Sequence, residues 1–229
     1  MLLNNASLAF KQVLSKPFRS IFWKALGLTV LLLVVVWIGL QSGLAAFLVL
    51  PYPWLETALN FLAGIGSFIL MGFLVAPATA VFAAIFQDEI AEKVERQSFP
   101  HERPGEALPI GRSVYLAVKF VTLVILVNLI ALVLLLVPGV NIVIFFIANG
   151  YLLGREFFEF AAYRFHNEEE VKQLRARHGA TIFMGGLIIA GLLAVPLLNL
   201  LTPIFATIYM VHVHKALAGE GRAKALAAR

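Results

Sequence analysis

The sequence has no cysteine among its 229 residues, which excludes both a disulfide framework and a thiolate metal site. Charge is scarce as well. Only 14% of the residues are charged against 61% hydrophobic, far outside the globular norm, so the bulk of the chain cannot face water. No nucleophile motif, phosphate-binding loop or dinucleotide fingerprint occurs, and the polar stretches are too small for a catalytic domain. An enzyme is not expected, and no cofactor is implied. Residues 25–55, 57–87, 120–154 and 179–211 contain no Asp, Glu, Lys or Arg, which argues against a proton relay or a charged substrate site at a bilayer midplane.

What is present is four apolar blocks, each longer than the roughly 20 residues that cross a bilayer. A β-barrel would alternate apolar and polar positions, whereas Leu31-Leu32-Leu33-Val34-Val35-Val36 is apolar on every side. Helices are then the remaining way to satisfy backbone groups in lipid. Lys16, Arg19 and Lys24 precede the first block in the manner of a signal peptide, but its apolar run is about twice a signal h-region, so it reads as an uncleaved membrane helix.

The net charge of +5 would suit nucleic acid, but the placement of the lysines and arginines points elsewhere. Four precede Ala25, five lie in 88–119, five in 155–178 and four follow Val211, which accounts for all eighteen. The remaining polar connection, Pro51-Tyr52-Pro53-Trp54-Leu55-Glu56, has none and carries interfacial Tyr and Trp, marking it as the outer face. Keeping the positive segments inside makes the first block cross outward and the second return, while the third and fourth must each begin and end on the cytoplasmic side. Each of the latter is then a hairpin whose arms, about 16 residues or 24 Å long, fall short of a hydrocarbon core of about 30 Å.

The expected fold is therefore an all-α integral membrane protein with two long transmembrane helices and two cytoplasm-entering, hemi-penetrating helical hairpins. As a single membrane domain over 1–229 it comprises an interfacial helix (1–15), transmembrane helices (21–50 and 57–87), a cytoplasmic segment (88–119), a hairpin (120–154), a cytoplasmic connector (155–178), a second hairpin (179–211) and a basic tail (212–229). The interfacial helix rests on Leu2, Leu3, Ala6, Ala9, Phe10, Val13 and Leu14 at helical spacing. V-P-x-x-N recurs at the middle of both hairpins, at residues 137–141 and 195–199, where proline stops the first arm and asparagine can cap the second. In the alternative topology both hairpins span fully with tight outer turns.

Candidate sites are few. His212 and His214 are two apart, about 200° around a helix, so they do not share a metal without help; interfacial histidines near a helix C-terminus are the simpler reading, and no metal site is expected. Gly64, Gly66 and Gly72 suit close helix packing. Asn141, Asn149, Asn199 and Thr202 are polar positions inside the blocks that could line a path for an ion or bond across helices, and packing is the more economical role for each. The strongest anion chemistry lies in Ser15-Lys16-Pro17-Phe18-Arg19-Ser20. Serine and proline mark a helix start whose free N–H groups attract an anion, and Arg19 can bond two oxygens at once, although a positive-inside anchor would use the same residues.

Three stretches carry a family resemblance: Ala76-Pro77 through Phe86-Gln87-Asp88-Glu89-Ile90-Ala91-Glu92-Lys93-Val94-Glu95, then Gly150-Tyr151-Leu152-Leu153-Gly154-Arg155-Glu156-Phe157-Phe158-Glu159, and Pro196-Leu197-Leu198-Asn199-Leu200-Leu201-Thr202-Pro203 on to His212. In these the chain resembles the CysZ sulfate-permease family, within the wider etoposide-induced membrane protein family. The resemblance implies inward sulfate transport across the bacterial cytoplasmic (inner) membrane for cysteine synthesis, without nucleotide hydrolysis, by a homo-oligomer in lipid with both termini cytoplasmic. It also implies an anion-binding motif, Gly-Leu-Arg-Arg, at the start of the first membrane helix. The matching residues here are Pro17, Phe18, Arg19 and Ser20: Arg19 is kept, the glycine is Pro17 and the second arginine is Ser20. Sulfate or a related oxyanion is the expected partner, and nucleic acid is not. A non-transporting scaffold of the same family, or a permease for another small solute, is the alternative. Gly139→Cys and Leu198→Cys should resist an impermeant thiol reagent added from outside; labelling of both would establish fully spanning hairpins.

Overall fold

The computed structural model describes residues 1–47, 52–109, 111, 115, 118, 122, 123, 126 and 141–227. Their long elements are α1 (Leu2–Val13), α2 (Lys16–Phe47), α3 (Pro53–Ile85), α4 (Gln87–Ser98), α5 (Asn141–Tyr163), α6 (Glu168–Leu193) and α7 (Thr202–Ala227), with a 3-10 turn at Leu198–Leu201. The chain is all-helical, as the apolar blocks require, and no strand occurs among the described residues. Among the described residues four helical stretches are long and apolar enough to cross a bilayer: Lys16–Gly43, Trp54–Gly72, Glu168–Leu193 and Leu198–Gly219. Most of the expected leading arm of the first hairpin and its expected turn, including Gly139, lie outside the described residues.

The chain divides into two compact units, one formed by Met1–Arg19 with Gln87–Arg229 and the other by Ser20–Phe86. In the second unit, Leu31, Val35 and Ile38 of α2 and Phe61, Phe68 and Ile69 of α3 are each more than half exposed, a surface suited to lipid. The two helices are tied by the Trp37 indole, which donates to Ser67 Oγ at 3.1 Å, while Ser67 donates to the Gly64 carbonyl at 2.9 Å. Gly64 is a packing position, because a Cβ there would stand 3.3 Å from Gln41 Nε2. Gly66 and Gly72 are not, since among the described residues nothing lies within 4 Å of a Cβ built at either.

The other unit is organised around α7. The apolar stretch of α7 is 78% buried, against 28% for α6, so α7 is shielded by protein. Ile204, Phe205, Ile208, Tyr209 and Met210 on α7 are all within 3% of full burial. Against α7 packs α6, and against α6 packs α5 at backbone contact. A Cβ on Gly186 would fall 1.8 Å from the Gly150 carbonyl oxygen, and one on Gly154 would fall 2.6 Å from the Ile182 carbonyl oxygen. Gly185, next along α6, faces the other way, where a Cβ would meet Met210 Cε at 2.9 Å. Where lipid removes the hydrophobic drive between helices, such close approach supplies the dispersion contacts that hold them.

The charged run 168–178 is helical, continuous with the apolar arm that follows, and both halves form α6 with a kink at His178 (φ −118°, ψ 21°). Asn167 starts it with a capping box: its side chain accepts from the Glu170 N–H at 3.0 Å, and the Glu170 carboxylate accepts from the Asn167 N–H at 3.1 Å. The second hairpin turns at residues 194–197, where Leu197 takes φ 68°, a left-handed conformation that costs a branched residue energy. Asn199 does not cap α7; it sits inside the 3-10 turn, and its N–H donates to the Val195 carbonyl at 3.0 Å.

A buried ion pair joins α4, the loop after it and the end of α5 in this unit. Arg164, just past α5, donates Nε to Glu95 Oε1 at 2.8 Å and Nη2 to Glu95 Oε2 at 3.2 Å, with both side chains 3% exposed. It also reaches Asp88 Oδ1 at 2.5 Å and the Gly105 carbonyl at 3.3 Å. Gly105 N–H donates to Glu95 Oε2 at 2.9 Å, and Glu106 N–H donates to the Arg164 carbonyl at 2.9 Å, so the loop after α4 is wrapped onto the pair. Replacing Arg164 by Ala should cost about 3–5 kcal/mol of stability, because it strands a buried carboxylate. The double variant Glu95→Leu/Arg164→Met should recover most of that loss in thermal unfolding of the detergent-solubilised protein.

Burial lifts the Glu156 carboxyl on α5 to about 7 from an ordinary 4.5. With the folded-state value raised, stability is full below about pH 4.5 and falls as pH rises to about 7, where the folded carboxyl at last ionises. Glu156→Gln should therefore leave the unfolding temperature unchanged near pH 4.5 and raise stability at pH 8 by on the order of 1 kcal/mol.

Candidate anion site at the start of the second helix

The joint between α1 and α2 is built by Ser15. Its N–H and its Oγ both donate to the Gln12 carbonyl, at 2.9 and 2.7 Å, which ends α1. Its own carbonyl then accepts the Arg19 N–H at 2.9 Å, the bond that begins the ladder of α2. Because the Ser15 hydroxyl is turned back to α1, it does not cap the new helix. Pro17 has no N–H, which leaves the Lys16 and Phe18 N–H groups without a hydrogen bond among the described residues.

Phe18 is fully buried and anchors this turn, whereas Lys16, Arg19 and Ser20 are exposed. Neither Lys16 nor Arg19 forms an ion pair among the described residues. The unfilled N–H of exposed Lys16, the helix dipole and two unpaired cations are therefore gathered within one turn, chemistry that suits an oxyanion, while the Phe18 N–H is buried with its residue. All of these groups lie on consecutive residues of one helix.

The joint is held from behind by Gln12. Its Nε2 donates to Ser98 Oγ at the end of α4, at 2.9 Å, and its Oε1 stands 2.8 Å from His212 Nε2 on α7. With the glutamine oxygen as acceptor, His212 donates from Nε2. The two histidines of α7 are not interfacial groups at a helix C-terminus. The helix runs on to Ala227, and His212 and His214 are 4% and 2% exposed. His214 stacks on Phe165 at 5.3 Å and meets His166 edge-on at 5.3 Å. Among the described residues no group of three or more His, Asp or Glu side chains is arranged to hold a metal.

The four candidate path positions lie on α5, in the 3-10 turn and at the start of α7. Asn149 donates its amide to the Phe145 carbonyl of its own helix at 2.8 Å, and Thr202, 3% exposed, points its hydroxyl to the Leu198 carbonyl at 3.4 Å. Asn199 lies in the 3-10 turn immediately before Thr202. Asn141 opens α5, and its side chain is outside the described residues. Among the described residues no hydrogen bond joins any of these to another or to Arg19.

The residues that sequence reasoning passed over are Gln12, Glu95 and Arg164. Glu95 left a trace: it falls on the buried stripe of α4 with Ile90, Ala91 and Val94, and a carboxylate there demands a partner. Gln12 and Arg164 left none. No curated protein sequence matches the chain. A family model, Sulfate transporter CysZ/Etoposide-induced protein 2.4, matches residues 6–203, a span that takes in the α1–α2 joint, the buried ion pair and the turn of the second hairpin. By that match, and on a fold that is helical throughout its described elements, the chain belongs to the Sulfate transporter CysZ/Etoposide-induced protein 2.4 family.

Proposed function

We propose that the protein is a permease for sulfate or a closely related oxyanion in the bacterial cytoplasmic membrane, acting as a channel or uniporter-like carrier and feeding cysteine synthesis. Family membership supports transport as the activity. The observation that carries the site is the unpaired, exposed Arg19 on the first turn of α2, near the unfilled Lys16 N–H. In this reading Phe18 fixes the turn, Pro17 sets its backbone, Arg19 binds two oxygens of the anion, and Ser20 offers a hydroxyl in place of a second guanidinium. The protein works as a homo-oligomer with both termini cytoplasmic, and Asn141, Asn149, Asn199 and Thr202 are candidates for the path.

A second reading, a membrane scaffold without transport, is favoured by the absence of charge inside the apolar blocks and by Pro17 and Ser20 at the motif. Radiolabelled sulfate uptake into proteoliposomes separates the two. Wild-type protein should carry sulfate above empty vesicles. Arg19→Ala should raise KM roughly tenfold or more, since a charge-assisted hydrogen bond to an ion contributes about 1.5–3 kcal/mol. Unchanged flux in Arg19→Ala would move the site elsewhere, and no flux in the wild type under any sulfate gradient would favour the scaffold.

A further inference from the structure

Between α1 and the second hairpin lies a groove of about 500 Å3 that neither the anion site nor the buried ion pair uses. Its walls are Phe10 of α1, Ile188, Gly191 and Leu192 of α6, Val195 of the turn and Phe205 of α7. The polar groups on its rim, Ser7 and Lys11, both come from α1. Its volume is in the range of sites that hold a small molecule, and an apolar floor with one cationic edge is the shape of chemistry that an amphiphile fits.

We infer that this groove holds one acyl chain of an anionic phospholipid, whose phosphate sits against Lys11 and the Ser7 hydroxyl. Charge complementarity selects the occupant. Lys11 is the one charged side chain of α1, is exposed and makes no ion pair among the described residues, so a cation is left at the rim of an apolar slot in a chain built for lipid. A second observation comes from the backbone. Among the described residues a Cβ on Gly191 would meet nothing within 4 Å, so no described group stands in front of this stretch of α6, where α5 and α7 elsewhere press on the glycines. A third comes from α1 itself, which buries Ala9 and Val13 in the protein and leaves Leu3, Phe10 and Leu14 exposed. Those side chains continue the apolar surface from the groove toward surrounding lipid.

A bound phospholipid here would pin α1 to the hairpin independently of whether the protein moves sulfate. The test uses full-length protein purified in mild detergent, incubated with phosphatidylglycerol or phosphatidylcholine of matched chains, with adducts counted by native mass spectrometry. Wild-type protein should retain a first phosphatidylglycerol in preference to phosphatidylcholine. Lys11→Gln should lower that preference about fivefold, the effect of one lysine near an anionic headgroup, while still taking up both lipids. Gly191→Leu fills the open space with a better helix former and should remove the first tightly held adduct for both lipids. Equal retention of the two lipids by wild type, or wild-type adduct patterns in both variants, would overturn the assignment. A preference lost in Lys11→Gln with no effect of Gly191→Leu would equally overturn it, by placing the lipid on the surface of α1 and outside the groove.

Discussion

The Arg164 guanidinium is the constraint on which the packing of α4, its following loop and the end of α5 depends. Removed from water, it is stable only because Glu95 meets two of its nitrogens, Asp88 a third edge and the Gly105 carbonyl the remainder. Those partners come from α4 and from the loop that follows it, and the arginine itself from just past α5. The loop can therefore approach only in a conformation that brings the Gly105 backbone against the arginine, where a Cβ would be 2.8 Å from Arg164 Cβ. A surface pair of the same residues would contribute little, as is true of Arg96 with Glu92 or Arg103 with Glu106, both well exposed.

From that anchor a line of polar contacts reaches the candidate anion site. The far end of α4 presents Ser98 to Gln12, Gln12 also meets His212 on α7, and the Gln12 carbonyl receives both donors of Ser15. Ser15 in turn starts α2 by accepting the Arg19 N–H. The position of Arg19 is thus tied to groups distant in sequence, while its side chain makes no ion pair among the described residues. An exposed, unpaired arginine one turn from the unfilled Lys16 N–H is chemistry held ready for an anion.

The long helices illustrate a second lesson. Counting apolar residues alone makes the arms of the second hairpin too short for a bilayer, and the apolar part of α6 after the His178 kink is indeed short. Yet α6 and α7 each run 26 residues, because the flanking charged segments are helical too. Asn167 with Glu170 is a capping signal readable in sequence, so the start of α6 was legible there. The depth of burial of α7 was not: its residues are as apolar as those of α6, and only the packing of neighbours on every side distinguishes a shielded helix from one that faces lipid.

The sequence by itself determined the all-helical class, the four apolar blocks and the helix start at Ser15 to Arg19. All are local, because hydropathy and capping act within a turn or over one segment. Tertiary structure alone decided which glycines bring backbones together, Gly150, Gly154 and Gly186, with Gly66 and Gly72 left open. It also decided that His212 is a buried donor to Gln12, and that Arg164 finds Glu95 across 69 positions. Each of these depends on which surfaces meet after the chain has folded back on itself, and residue type carries no information about a partner that distant.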